Sequence, residues 1–116
     1  MQRKNNSPYG VSKVAIEAET LIWAQDLEGT GVTVNTVLPG GATDTDFVSA
    51  MGKANIATTG RVLLQPDIIV APVLWLASDH GAQVTGRRFV GKDWDDSLPL
   101  AQAAEGACEP PVIREA

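Results

Sequence analysis

One pattern constrains this chain more than any other: a helix-length stretch runs without a linker into a β-branched segment. Ser7-Pro8 opens it. Serine is a favoured N-cap, and proline fits the first helical position, where no backbone donor is needed. The helical pattern extends over residues 8–28 and stops at Gly29-Thr30-Gly31, a glycine signal for a helix C-terminus. Val32-Thr33-Val34-Asn35-Thr36-Val37-Leu38 follows, bounded by Gly31 and Pro39-Gly40. Its length and β-branched content predict a strand over 32–38. A helix leading directly into such a strand is the second half of a βαβ unit, so the expected class is α/β.

The first helix has two distinct sides. On a wheel of ~100° per residue, Val11, Val14, Ala15, Ala18, Leu21, Ile22 and Gln25 share one side, which is expected to pack. Tyr9, Lys13 and Thr20 lie nearly opposite, with Ile16, Trp23 and Ala24 around them. Residues 40–60 are poorly periodic and rich in Gly, Thr, Asp and Ser, as in a lid or binding loop. A short helical turn is expected within them at 47–51. Pro66 opens a second helical stretch over 67–78, with a kink expected at Pro72. Asp79-His80-Gly81 ends it, and residues 85–91 read as a short final strand. In the tail, 101–107 predicts a helical turn or two and the remainder an irregular path. Trp23 and Trp75 read as packing residues.

Composition narrows the function. A net charge of −5 leaves no basic footprint for nucleic acid or an anionic membrane. The pairs Arg3-Lys4 and Arg87-Arg88 read as solvated. A single cysteine, Cys108, and a single histidine, His80, offer neither an internal disulfide nor a metal constellation. Asp93, Asp95 and Asp96 read as an acidic solvated turn, so no metal site is expected. Residues 1–10 lack an apolar signal core, and the longest nearly unbroken apolar run, 68–77, is too short to cross a bilayer. A cytoplasmic location is the expectation.

Tyr9 and Lys13 stand at i and i+4, neighbours on one helical face. A free phenol ionises only near pH 10, too high for easy proton exchange near neutrality, and a cation a few ångströms away favours the phenolate. Such a pair suits general acid–base work on a carbonyl or an alcohol. The same spacing also arises as a surface cation beside a half-buried aromatic. Pro39-Gly40-Gly41-Ala42-Thr43-Asp44-Thr45 follows the carboxyl end of the expected strand, where ligands bind in open α/β sheets. Its glycines permit close backbone approach to a ligand.

The order Ser7-Pro8-Tyr9-x-x-x-Lys13, long helix, Gly31-Val32-x-Val34-Asn35, Pro39-Gly40 and a Thr-rich loop resembles the C-terminal half of a short-chain dehydrogenase/reductase. Leu74-Trp75-Leu76-Ala77-Ser78-Asp79 followed by Val84-Thr85-Gly86 is similar to that family's last helix and strand. The resemblance covers about residues 5–91. It implies a partial Rossmann-like fold, half of a doubly wound parallel sheet, over residues 1–94, with a C-terminal extension over 95–116. Two parallel strands would be joined by a crossover. The implied reaction is hydride transfer between NAD or NADP and a small carbonyl or alcohol substrate. By the same resemblance Tyr9 would give or take the proton, and Lys13 would favour its phenolate form and bond the nicotinamide ribose. Pro39 and Gly40 would border the nicotinamide ring, and Thr43 or Thr45 would reach its carboxamide or the pyrophosphate. Asn35 would be structural, and residues 41–64 a mobile cover for the substrate. The long helix and the last helix–strand pair would form subunit interfaces, implying a homo-oligomer or association with an intact subunit.

Three departures stand beside the likeness. No Gly-x-x-x-Gly-x-Gly turn for a pyrophosphate occurs in these 116 residues. The family's serine lies about a dozen residues before its tyrosine, and eight residues precede Tyr9 here. The usual Asp-Gly-Gly after the last strand is replaced by Gly91-Lys92-Asp93-Trp94. A truncated oxidoreductase, inactive alone, is the leading expectation. A non-catalytic assembly fragment and a polypeptide continuing upstream of Met1 are the alternatives. The substrate, and the choice between NAD and NADP, are left open.

Overall fold

The computed structural model describes residues 4–111. Helix α1 (Tyr9–Asp26) leads into strand β1 (Thr36–Leu38), and helix α2 (Ala50–Thr58) follows in the long connection. A 3-10 turn (Pro66–Ile69) passes into helix α3 (Val70–Ala77), which precedes strand β2 (Arg88–Val90). The tail adds helix α4 (Leu100–Ala107) and strand β3 (Cys108–Glu109).

Helix α1 begins and ends near the expected places, but Ser7 does not cap it. Pro8 holds the N-cap position with no side-chain hydrogen bond, after a cis Ser7-Pro8 peptide. The first turn is instead tied by Gly10 N–H to the Asn6 carbonyl (2.6 Å) and Ser12 Oγ to the Tyr9 carbonyl (2.7 Å). At the far end Gly29 and Gly31 take φ of +78° and +83°, the left-handed values that stop a helix.

Strand β1 is shorter than the expected 32–38 because side chains replace part of its ladder. The Asn35 amide donates to the Val84 carbonyl at 2.7 Å and accepts from Arg87 N–H at 3.0 Å. Val34 N–H donates to Thr85 Oγ1 at 3.1 Å. Asn35 is therefore structural. Regular pairing is parallel to β2, with Thr36 opposite Arg88, Val37 opposite Phe89 and Leu38 opposite Val90. The crossover between these strands matches the expectation, whereas the mixed sheet order β1-β2-β3 does not. Strand β3 pairs antiparallel to β2, so Cys108 and Glu109 depart from the irregular path expected after residue 107. Alanine explains this: Ala103, Ala104 and Ala107 are buried in α4, and their small side chains let the helix seat closely and deliver Cys108 beside Phe89.

Phe89, Ala104 and Ala107 form the core, with Val37, Trp75, Leu76, Val84, Trp94 and Cys108 packed against it. Trp75 lies 5.9 Å from Phe89 and 6.4 Å from Trp94, ring centre to ring centre. Trp75 is thus a packing residue, but Trp23 is half exposed. The packed face of α1 also differs from the expected one. Gly10, Glu17, Thr20 and Ala24 are its buried residues, while Val11, Ala15 and Ile22 are exposed. Ala24 approaches Gly86, where two small residues allow contact, and Glu17 pairs with Arg88. These contacts set the rotation of α1.

Pro72 is buried inside α3 and the change of helix type falls before it, at Ile69–Val70. As the third residue of α3, Pro72 sits where an α-helix has no need of its N–H. The expected turn at 47–51 is displaced: Ser49 caps α2 by accepting from Gly52 N–H at 3.1 Å, and Phe47 stands outside it. The connection is pinned at both ends by a parallel bridge between Thr43 and Leu64. In the tail, the Ser97 hydroxyl and then its backbone N–H donate to Asp95, holding that exposed carboxyl below its ordinary range.

Candidate active site

Tyr9 is the first residue of α1 and Lys13 stands one turn along. The Lys13 ammonium lies over the Tyr9 ring, 5.5 Å from its centre. Lys13 takes part in no ion pair among the described residues; those pairs join Lys53 to Asp44, and Arg88 to both Glu17 and Glu109. An ammonium with no carboxylate partner and a phenol within its field are therefore brought together.

Phe47 completes the cluster, stacked on Tyr9 with ring centres 5.3 Å apart and planes inclined by 30°. The turn that presents it is closed by Val48 N–H donating to the Thr45 carbonyl at 3.1 Å. The loop after β1 thereby reaches the start of α1. Sequence reasoning missed this residue by placing it in a helix; the usable signal was a lone large aromatic within a polar loop.

Pro39 and Gly40 lie at the carboxyl end of β1, and their described contacts run to the end of β2. Lys92 N–H donates to the Pro39 carbonyl at 3.0 Å. Gly40 has φ +93°, and a Cβ there would lie 2.5 Å from Val90 Cγ1 and 2.7 Å from Lys92 Cγ. The bare Cα of Gly40 thus lets the Val90 and Lys92 side chains approach on that side. Thr43 is half-buried, with its hydroxyl donating to the Gly41 carbonyl at 3.3 Å. Thr45 is exposed, and its hydroxyl has no partner among the described residues.

Arg88 also departs from expectation. Far from solvated, its side chain is 14% exposed and is held between the carboxylates of Glu17 and Glu109. A narrow crevice lined by Glu17, Thr20, Thr36 and Arg88 follows this buried side of α1, away from Tyr9. Among the described residues no group of three or more His, Cys, Asp or Glu could hold a metal ion. No helix among them is long and apolar enough to cross a membrane.

Residues 1–91 match the family model described as enoyl-(acyl carrier protein) reductase. The NADPH-dependent aldehyde reductase 2, chloroplastic, of Arabidopsis thaliana is 36% identical over 72% of this chain. A 3-oxoacyl-[acyl-carrier-protein] reductase of Thermotoga maritima is 31% identical over 68%, and an acetoacetyl-CoA reductase of an Acinetobacter species is 39% identical over 67%. The alignments cover 32%, 34% and 33% of those proteins, so the chain spans about a third of the length of the curated relatives it matches. With this likeness running through α1, β1, the long connection and β2, the chain belongs to the short-chain dehydrogenase/reductase family.

Proposed function

We propose that this chain carries the proton-handling part of an NAD(P)-dependent oxidoreductase that interconverts a small carbonyl compound and its alcohol. One observation carries the reading: the Lys13 ammonium, unpaired with any carboxylate among the described residues, lies 5.5 Å from the centre of the Tyr9 ring. In reduction the Tyr9 hydroxyl donates its proton to the carbonyl oxygen; in oxidation the phenolate takes the proton from the alcohol. Lys13 offsets the negative charge as it develops on the phenolate. Phe47 covers one part of the Tyr9 ring, and Tyr9 stays 43% exposed and so open to a substrate.

The donor set fits a nicotinamide cofactor at α1. Lys13 has N–H donors not held by a carboxylate, and the Thr45 hydroxyl is free of described partners, so these two suit ribose hydroxyls and a carboxamide. Thr43 is the weaker candidate, since its hydroxyl is already engaged with Gly41. Pro39 and Gly40 would border the ring with their backbone only, because Val90 and Lys92 fill the space beside the Gly40 Cα. When bound, the nicotinamide supplies or accepts the hydride.

The 116-residue chain by itself is expected to show no turnover of NADH or NADPH with any ketone, because it contains no glycine-rich phosphate turn. Joined to the N-terminal part of a relative, it is expected to reduce a ketone. Tyr9→Phe in that hybrid should lower kcat by ~10²–10⁴-fold. A hybrid that works equally well with phenylalanine at position 9 would remove the proposed role of Tyr9.

A second reading, an assembly fragment that joins a second copy or an intact subunit, draws on the exposed Val11, Ile22 and Trp23 of α1 and Val73 and Leu74 of α3.

A further inference from the structure

We propose that Arg88 is a positioning residue: by holding the Glu17 carboxylate, it keeps Lys13 free to stand over Tyr9. Its catalytic meaning rests on the proton-handling reading above, while the geometry it asserts does not. Glu17 follows Lys13 by one helical turn, the spacing at which a lysine and a glutamate ordinarily meet. They do not pair here. Glu17 is buried, and its Oε2 accepts from Arg88 Nε at 3.0 Å, with side chains 10% and 14% exposed. Arg88 Nη1 also pairs with Glu109 of β3. A guanidinium can do both because its donors form a planar fork, reaching two carboxylates from different elements. The tail thus steadies the cation that occupies Glu17.

Without that cation the carboxylate would be desolvated and uncompensated, which is strongly unfavourable. The nearest cation on its own helix is Lys13; Arg87, the other cation of the crevice, is exposed to solvent. Lys13 would be drawn along α1 towards Glu17 and away from the phenol. A purely structural brace would predict general loosening instead, with no specific dependence on the Glu17 charge.

The test is proton NMR on the whole chain, reading the cross-relaxation between the Lys13 ε-methylene and the ring of Tyr9, the single tyrosine. The contact is expected in the unaltered protein, lost in Arg88→Met, retained in Arg88→Lys, and restored in Arg88→Met/Glu17→Gln. Should Arg88→Met not fold, Ile16→Glu serves: Ile16 is half exposed, lies three residues after Lys13, and would supply a carboxylate that Arg88 does not hold. Loss of the contact in Ile16→Glu supports the proposal. A contact that persists in folded Arg88→Met or in Ile16→Glu, or a loss that Glu17→Gln does not restore, overturns it. No cofactor or substrate enters this measurement. An inactive hybrid would therefore count against the oxidoreductase reading alone, and a persistent contact against Arg88 alone.

Discussion

At Gly40 the chain turns out of β1 with φ +93°, and the next atoms beyond its Cα belong to Val90 and Lys92. Alanine there would meet both a left-handed backbone and a filled space, at a cost of about 2–4 kcal/mol. Gly60 provides the control, having φ +70° and no atom within 4 Å of an added Cβ. Gly60→Ala should cost only the backbone strain, about 1–2 kcal/mol. Urea unfolding of the two variants separates these contributions, and equal losses would show that the corner at Gly40 is not wedged. The need for glycine after Pro39 was legible in the sequence. What approaches it was not, because Val90 and Lys92 are about fifty residues away along the chain.

Among the elements, the tail differs most from its sequence-based expectation. A helical turn at 101–107 was legible from the alanine-rich run, and α4 spans Leu100–Ala107. Strand β3 was not legible, since two residues carry no periodicity and pair with β2 only because α4 places them there. Ala107 is fully buried at that junction. Ala107→Leu should therefore overpack the core, costing about 1–3 kcal/mol, and should push Cys108 from its place beside Phe89. Thermal unfolding followed by tryptophan fluorescence checks this through Trp75 and Trp94, which border the same core. An unchanged midpoint would mean that the tail packs loosely.

For the whole molecule, the radius of gyration is 15.6 Å and the extents are 47 × 36 × 24 Å. A compact chain of this length would have a radius of about 13 Å. The excess fits a small three-stranded sheet that leaves Val11, Ile22, Trp23, Val73 and Leu74 exposed. Apolar exposure of that kind favours association, and a domain with so little buried surface gains stability from it. Light scattering is expected to give a mass above 12.2 kDa that rises with concentration. Ile22→Glu and Leu74→Glu should each lower it. A constant single-chain mass up to the solubility limit would show that these faces remain solvated.

The sequence by itself determined the features that depend on neighbours along the chain. The glycine stop at Gly29–Gly31, the helix-to-strand order and the nearness of Tyr9 to Lys13 all follow from local backbone geometry and helical periodicity. Tertiary structure decided which face of α1 is buried, what fills the space at Gly40, and that Arg88 is enclosed instead of solvated. Each of these depends on a partner far off in sequence, such as Glu17 and Arg88, separated by 71 positions. Helical periodicity can bring Tyr9, Lys13 and Glu17 within reach of one another, but it cannot say which charge Glu17 meets. That is settled only when β2 and the tail fold against the helix.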